Sequence, residues 1–177
     1  MYPFLRFAKE ALKYRNAPKL GLLETHVSYH RCWPWDLDPW AELNNGRTLT
    51  LYDLGRIPMA MRTGLTDVLR RNRWGITVAG NSTRYRQRIR AFERFELRSR
   101  CMGWDARFIY VEQSMWKGEV CANHILIRSA FTSAQGIVPP AKVVEHLGHR
   151  NESPPLPGWV QAWIAADSER PWPPSRD

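Results

Sequence analysis

The sequence predicts an α+β fold in which a curved antiparallel sheet wraps around one central helix. Residues 47–64 (RTLTLYDLGRIPMAMRTG) are apolar on most of the circumference of a helix, which is typical of a buried helix. Between residues 74 and 132 the apolar pattern changes to period two, as expected for β-strands. A helix that is apolar on nearly all sides needs cover from several directions, and a strongly curved sheet supplies that cover.

The first 18 residues are predicted to form a basic amphipathic helix. Phe4, Phe7, Ala8 and Leu12 share one face in this prediction, and the cations Arg6, Lys9, Lys13 and Arg15 lie off it. The apolar part is too short and too often interrupted by charge for a signal peptide or a membrane span. Such a helix either packs on its own domain or lies on anionic lipid, and packing is favoured because amphipathic surface helices are common.

A strand, a loop and the buried helix follow in order. The strand is predicted over residues 20–31, and the loop CWPWDLDPWAELNNG is rich in Pro, Asp, Asn and Trp. Asn44 or Asn45 is expected to cap the buried helix, and Gly64 is expected to end it. Pro58 lies inside this helix and should kink or shorten it.

Four strands are predicted next, over residues 76–87, 93–104, 108–116 and 119–131, with turns at 103–105 and 117–118. Four consecutive strands predict an antiparallel meander. A short helix over 141–147 and a further helix over 159–166 complete the chain. We therefore divide it into the basic helix (1–18), the main domain (19–149) and a Pro- and Trp-rich C-terminal tail (150–177).

Composition limits the function classes. The net charge of +9 and the pI near 9.9 predict an anionic partner: nucleic acid, a membrane surface or a phosphate-bearing small molecule. Cys32, Cys101 and Cys121 form no CxxC pair, which argues against a disulfide framework and a thiolate zinc site. We therefore expect no metal and a reducing, cytoplasmic location, either free or peripheral to the inner face of a membrane.

Chemically competent residues concentrate in the loop before the buried helix: Asp36, Asp38, Glu42, Asn44 and Asn45. A carboxylate at this position can polarise water or attack a carbonyl, while the unpaired N–H groups at the helix start stabilise the oxyanion. Asp and Asn also precede helices for purely structural reasons, as caps and turn residues. Spacing alone leaves both interpretations open.

The stretch WDLDPWAELNNGRTLTLYDLGR resembles the loop and central helix of hotdog-fold acyl-CoA thioesterases, within the 4-hydroxybenzoyl-CoA thioesterase-like group. The family pattern is D-x-D-x-x-G-H-x-N-N-x-x-Y, and Asp36, Asp38, Asn44 and Asn45 match it. The resemblance covers residues 20–148. It implies a hotdog fold, hydrolysis of acyl thioesters (most directly acyl-CoA), no cofactor, and a homodimer or dimer of dimers.

The resemblance also implies roles for individual residues. Asp38 matches the catalytic carboxylate, acting as nucleophile or as general base. Asn45 and Gly46 at the helix start would supply oxyanion donors, and Asn44 and Glu42 would position the substrate.

Two positions in the loop depart from the family pattern. Ala41 replaces the family's glycine, and Glu42 replaces its histidine. Two nearby carboxylates raise the pKa of one of them, which either assists a base or disables it.

Arginines alternate at positions 84, 86, 88 and 90, so in a strand they share a face. Arg84, Arg86 and Arg88 are candidates for contact with the phosphates of coenzyme A. The same face could instead be solvated, paired with acids on a neighbouring strand, or buried against a second subunit.

Two other function classes are compatible with the sequence. A hotdog domain could bind acyl-CoA or lipid without turnover, held at a membrane surface by the N-terminal helix. A nucleic-acid binder would stack bases on aromatic residues beside the arginines. Tyr85 is predicted to point to the opposite face of the strand from Arg84 and Arg86, so no nucleic-acid partner is expected.

Overall fold

The computed structural model describes residues 2–176, and within them it contains five α-helices and one six-stranded antiparallel sheet. A single 3₁₀ turn (Pro34–Asp36) lies in the loop before the second helix. In chain order the elements are α1 (Phe4–Tyr14), β1 (His26–Arg31), α2 (Asn45–Arg62), α3 (Leu65–Asn72), β2 (Gly75–Tyr85), β3 (Arg94–Trp104), β4 (Ile109–Lys117), β5 (Val120–Ser133), β6 (Gly136–Val138), α4 (Pro140–His146) and α5 (Gly158–Ser168).

The strand order is β1-β3-β4-β5-β2, with β6 paired to β5. The predicted antiparallel sheet is confirmed, but the predicted meander of four strands is wrong. β2 pairs with β5, from Gly75 opposite Thr132 to Tyr85 opposite Asn123, and β3 pairs with β1. Segment 86–93 carries the chain from one side of the sheet to the other. Period-two patterning identifies strands but contains no information about which strands are neighbours, and this explains the error.

α2 is the central helix and packs against the concave face of the sheet, as predicted. Its buried side chains include Leu51, Tyr52 and Leu54, which join the main apolar core. Gly55 permits the closest approach, because a Cβ at this position would lie 2.1 Å from Leu97 Cδ2 of β3. The helix continues through buried Pro58 to Arg62, so it is not shortened there. The packing of its buried face compensates for the hydrogen bond that proline removes.

Both predicted caps of α2 are present. The Asn44 side chain accepts a hydrogen bond from the Arg47 N–H at 3.0 Å, and Gly64 adopts a left-handed φ of +79°. The same glycine starts α3, a short helix that the sequence analysis did not predict. The strand predicted from residue 20 begins only at His26.

α1 packs on α2 and β1, which agrees with the favoured alternative, but its orientation differs from the prediction. Phe7 contacts the core, whereas Phe4 and Leu12 are 67% and 66% exposed. The side that faces the domain carries buried Glu10 and the half-buried Tyr14. These polar groups face inward because the buried side chains of β1 beneath them are also polar: His26, Ser28 and His30.

The C-terminal segment is part of the packed structure. Val160 and Trp163 of α5 form an apolar cluster with Tyr110 and Leu126 on the convex face of the sheet. β5 is therefore buried on both faces, and its long run of buried residues reflects that double cover. Among the described residues, no helix has the length and apolarity needed to cross a membrane.

Candidate functional site

The loop before α2 is anchored by Asp36, whose side chain is 1% exposed. Arg6 Nη1 of α1 lies 2.7 Å from Asp36 Oδ2, and Arg47 Nε of α2 lies 3.0 Å from Asp36 Oδ1. The Trp33 N–H also donates to this carboxylate, at 3.0 Å, and the Asn44 N–H donates to the Asp36 carbonyl. Asp36 thus joins α1, the loop and the start of α2 through the ion pairs of its two carboxylate oxygens.

Asp38 organises a tight turn over residues 38–42. Its Oδ1 accepts hydrogen bonds from the Trp40 N–H at 2.9 Å and the Glu42 N–H at 3.4 Å, while its own N–H donates to the Glu42 carbonyl at 2.8 Å. Ala41 within this turn has a φ of +58°, which a glycine adopts without strain. The departure from the family's glycine therefore imposes backbone strain beside the candidate catalytic residue.

A cavity of about 190 Å³ lies at the start of α2. The loop forms one wall, the end of β2 and the chain after it form another, and the first turn of α2 and β5 complete it. Glu42 lines this cavity, and its carboxylate lies 2.7 Å from Arg88 Nε. Asp38 lies outside the lining. The residues around the cavity are Glu42, Leu43, Asn45, Thr48, Tyr85, Arg86, Gln87, Arg88, Ile89 and Asn123.

The first turn of α2 offers two unpaired amide donors. Within residues 2–176 the N–H groups of Asn45 and Gly46 form no hydrogen bond, and Asn45 lines the cavity. The side chain of Asn44 is occupied by capping the Arg47 N–H. The helix start therefore combines free donors with the partial positive charge of the helix dipole, an arrangement that suits a developing oxyanion.

The arginine row is only partly a strand. β2 ends at Tyr85, so the predicted alternation holds for Arg84 and fails beyond it. Arg86 and Arg88 line the cavity, whereas Arg84 lies opposite His124 of β5 and outside the lining. Tyr85 lines the cavity as well. It therefore lies on the same side as Arg86, contrary to the prediction, while Arg84 lies outside the lining. The Tyr85 hydroxyl is 3.5 Å from the Asn45 carbonyl.

Sequence reasoning missed the residues that form the floor of the cavity. Asn123 of β5 lines it and accepts a hydrogen bond from the hydroxyl of buried Tyr52. Burial raises the pKa of the Tyr52 hydroxyl well above its ordinary value, so the floor is neutral. Nothing in the local sequence marks Asn123, because it reaches the cavity only through the pairing of β5 with β2.

A second, apolar cavity of about 330 Å³ lies between α2, α3, β2 and the sheet. Ile57, Leu69, Ile76 and Val78 contribute to its walls. At the helix rise of about 1.5 Å per residue, Ile57 lies roughly 18 Å along α2 from Asn45. The two cavities therefore flank different parts of the same helix.

No metal site is evident in the described part of the chain, because no group of three or more His, Cys, Asp or Glu side chains is placed to share an ion. The closest His–carboxylate pair is His124 Nε2 and Glu112 Oε1, 2.9 Å apart. The hydrogen bond from His124, assisted by Arg100, lowers the pKa of Glu112. This cluster is therefore a structural hydrogen-bond network around the Arg100–Glu112 ion pair on the sheet.

Comparisons with known proteins agree with this fold. Protein THEM6 of Xenopus laevis is 33% identical over 165 residues, which is 91% of this chain and 78% of that protein. The crystal structure of the probable thioesterase YbaW from Escherichia coli superposes with a TM-score of 0.64 at 13% identity, covering 69% of this chain and 96% of YbaW. The structure of the hypothetical protein SAV2348 from Staphylococcus aureus in complex with CoA gives a TM-score of 0.61 at 8% identity, covering 80% of this chain and 95% of SAV2348.

These structural likenesses confirm the hotdog fold expected from the sequence. The profile of the Thioesterase-like superfamily matches residues 32–164, which spans the loop, the central helix and every strand except β1, and reaches into α5. The chain belongs to the thioesterase-like superfamily.

Proposed function

We propose that this protein hydrolyses acyl thioesters, most directly acyl-CoA, at the start of α2. The observation that carries the proposal is the pair of unpaired N–H groups at Asn45 and Gly46, placed beside a small cavity and the two carboxylates of the 38–42 turn. Membership of the thioesterase-like superfamily supports the reaction class. The CoA complex of SAV2348 supports CoA as the carrier.

In this mechanism the thioester carbonyl oxygen accepts hydrogen bonds from the Asn45 and Gly46 N–H groups. A carboxylate removes a proton from water, and the resulting hydroxide adds to the carbonyl carbon. The tetrahedral oxyanion is stabilised at the helix start and collapses with cleavage of the C–S bond. The leaving thiolate takes up the proton, so that water and thioester yield a free acid and a thiol. In the alternative form, the carboxylate attacks the carbonyl itself, the C–S bond breaks and the thiolate leaves, and water then hydrolyses the resulting anhydride to the free acid and the carboxylate.

Asp38 is our candidate for this carboxylate, on the basis of the family resemblance. Its Oδ1 holds the turn, and its Oδ2 accepts no hydrogen bond from residues 2–176. Glu42 is the second candidate because it lines the cavity, although Arg88 engages its carboxylate. Its pairing with Arg88 favours a positioning role over proton transfer.

A matched pair of variants tests the assignment. Asp38→Asn and Glu42→Gln each replace a carboxylate with an amide of the same shape, and thiol release from a panel of acyl-CoA substrates is measured for both. We expect Asp38→Asn to lower kcat by about 100-fold or more, as for loss of a general base, and Glu42→Gln to change KM more than kcat. Full activity of Asp38→Asn with loss in Glu42→Gln would transfer the role to Glu42. Full activity of both variants would refute the carboxylate mechanism.

Arg86 and Arg88 are proposed to contact the phosphates of CoA. Both line the cavity and both are exposed, so they offer charge at its rim. Arg84 is the weakest of the three sequence candidates because it lies outside the lining.

The second candidate function is binding of acyl-CoA or lipid without turnover. The apolar cavity beside α2 favours it, because that cavity can receive an acyl chain independently of the catalytic residues. A protein that releases no thiol, but whose melting temperature rises with added acyl-CoA, would support this alternative.

A further inference from the structure

The outward face of α1 carries an apolar stripe that no other part of residues 2–176 covers. Leu5, Ala8 and Leu12 follow one another at helical spacing, and Leu5 is 88% exposed. Phe4 lies beside them, 67% exposed. Single exposed leucines are ordinary, but an aligned stripe with a neighbouring phenylalanine forms a continuous patch of the kind that marks an interaction surface.

Cations flank this stripe along the same helix. Lys9 and Lys13 are exposed and one turn apart, on the flank of α1 between the stripe and the side that packs on the domain. α1 itself is held firmly on the domain by the Arg6–Asp36 ion pair and by the Tyr14 hydroxyl, which donates to the Val27 carbonyl at 3.2 Å. The stripe is therefore presented by a docked helix.

The stripe leads into a basic cleft of about 1090 Å³. Arg15 connects the two, because it lies one helical turn after Leu12 and also lines the cleft. Arg15, Lys19 and Arg71 line the cleft without an ion pair to any residue in the range 2–176. Asp67 is the one acidic residue among the described lining, and it is paired with Arg70 at 3.0 Å.

We propose that this face, the α1 stripe together with the basic cleft, docks on an anionic phospholipid bilayer. The leucines and Phe4 enter the boundary between headgroups and acyl chains, and the cleft receives lipid phosphates. A bilayer offers hydrocarbon and a dense layer of phosphate at adjacent depths, which matches the adjacent apolar and cationic parts of the face. Nucleic acid would satisfy the cleft and leave the leucines uncovered.

The basic cleft of this surface lies far from the site of the proposed reaction. The cleft is bordered by Arg62 at the end of α2, and Asn45 begins that helix. At about 1.5 Å per residue the two ends are roughly 26 Å apart. Membrane docking is therefore measured without substrate, and its failure leaves the hydrolase proposal untouched.

Co-sedimentation with vesicles tests the proposal. The full chain is mixed with vesicles of phosphatidylcholine alone or of phosphatidylcholine with phosphatidylglycerol. We expect binding to the anionic vesicles that weakens as salt is raised. The double variant Leu5→Gln/Leu12→Gln removes the stripe, and the triple variant Arg15→Gln/Lys19→Gln/Arg71→Gln removes the unpaired charges. Each should reduce binding by about tenfold or more.

Val120→Gln is the matched control, because Val120 is an exposed apolar residue (45%) at the first position of β5, away from α1. It should bind vesicles like the parent chain. All altered side chains are exposed or at the rim of the cleft, so melting temperatures should be unchanged.

Three outcomes would overturn the proposal. The parent chain could fail to sediment with anionic vesicles, or it could bind neutral vesicles equally well. The leucine variant could also bind as tightly as the parent while the charge variant alone loses binding. In that last case RNA binding is measured by gel shift. Binding by the parent chain that is lost in the triple charge variant would identify the cleft as a nucleic-acid site instead.

Discussion

Asp36 and Asp38 are two residues apart in the same loop, and their surroundings separate their roles. Asp36 is buried between Arg6 and Arg47, and each of its carboxylate oxygens forms an ion pair that holds the fold together. Asp38 is half-buried in a turn, with one oxygen committed to the turn and the other open to solvent or substrate. The family resemblance matches both residues, and only their environments distinguish a structural carboxylate from a candidate catalytic one.

Asp36→Asn should reduce the free energy of unfolding by about 3 kcal/mol, because it leaves two guanidinium groups without their buried partner. Asp38→Asn, the matched control in the same loop, should cost less than about 1 kcal/mol. Urea denaturation of both variants measures the difference. An equal loss of unfolding free energy in both variants would show that the buried ion pairs of Asp36 do not stabilise the fold.

At the scale of elements, the contact between α1 and β1 is an unusual buried polar interface. His26, Ser28 and His30 of β1 are buried under α1, and Ser28 Oγ lies 2.8 Å from His30 Nε2. Burial lowers the pKa of His26 to about 4, assisted by Arg62 and Lys13. Burial likewise lowers the pKa of His30 to about 3, with Arg6, Lys13 and Lys9 acting in the same direction. Both imidazoles are therefore neutral in the folded chain near neutral pH.

This interface predicts a loss of stability in acid. Below pH 6.5 the unfolded chain protonates both histidines while the folded chain does not, so the free energy of unfolding falls as pH drops toward 4. Glu10 acts in the opposite sense, because burial raises its pKa and the folded chain keeps its proton longer. Between about pH 5 and 6.5 the effect of the two imidazoles on the free energy of unfolding is larger than that of the one carboxyl group. The free energy of unfolding therefore increases with pH in this range.

Denaturation at a series of pH values measures the slope of this increase. His30→Gln should flatten it, Glu10→Gln should steepen it, and His149→Gln, at an exposed position, should leave it unchanged. A slope that is the same in His30→Gln as in the parent chain would rule out the buried histidine as its source.

At the scale of the whole molecule, β2 is the most exposed strand of the sheet. None of its eleven residues is buried, and Ile76 and Val78 are 46% and 50% exposed. One edge of β2 pairs with β5, and within residues 2–176 its other edge has no strand partner. Open edges of this length invite pairing with another strand. The homodimer that the family resemblance implies is therefore proposed to form along β2, next to both cavities.

Light scattering tests this arrangement through the two edge strands. Val78→Lys places a charge on β2 and should shift the protein from dimer to monomer. Tyr29→Lys makes the equivalent change on β1, the opposite edge, where Tyr29 is 66% exposed, and should leave the dimer intact. A dimer that survives Val78→Lys and dissociates in Tyr29→Lys would assign the interface to β1, and a parent chain that is monomeric would refute the proposal.

The sequence by itself determined the α+β class, the central helix with its Asn44 cap and Gly64 end, the approximate positions of the long strands, and the family resemblance. These features follow from local patterns, since period, capping and turn residues record which side of each segment faces the core. It also identified the loop of Asp36, Asp38 and Glu42 as the place where chemistry concentrates. The tertiary structure decided the pairing of β2 with β5, the inward face of α1 and the arrival of Asn123 and Tyr85 at the cavity. Those features depend on contacts between residues far apart in the chain, which a local pattern does not encode.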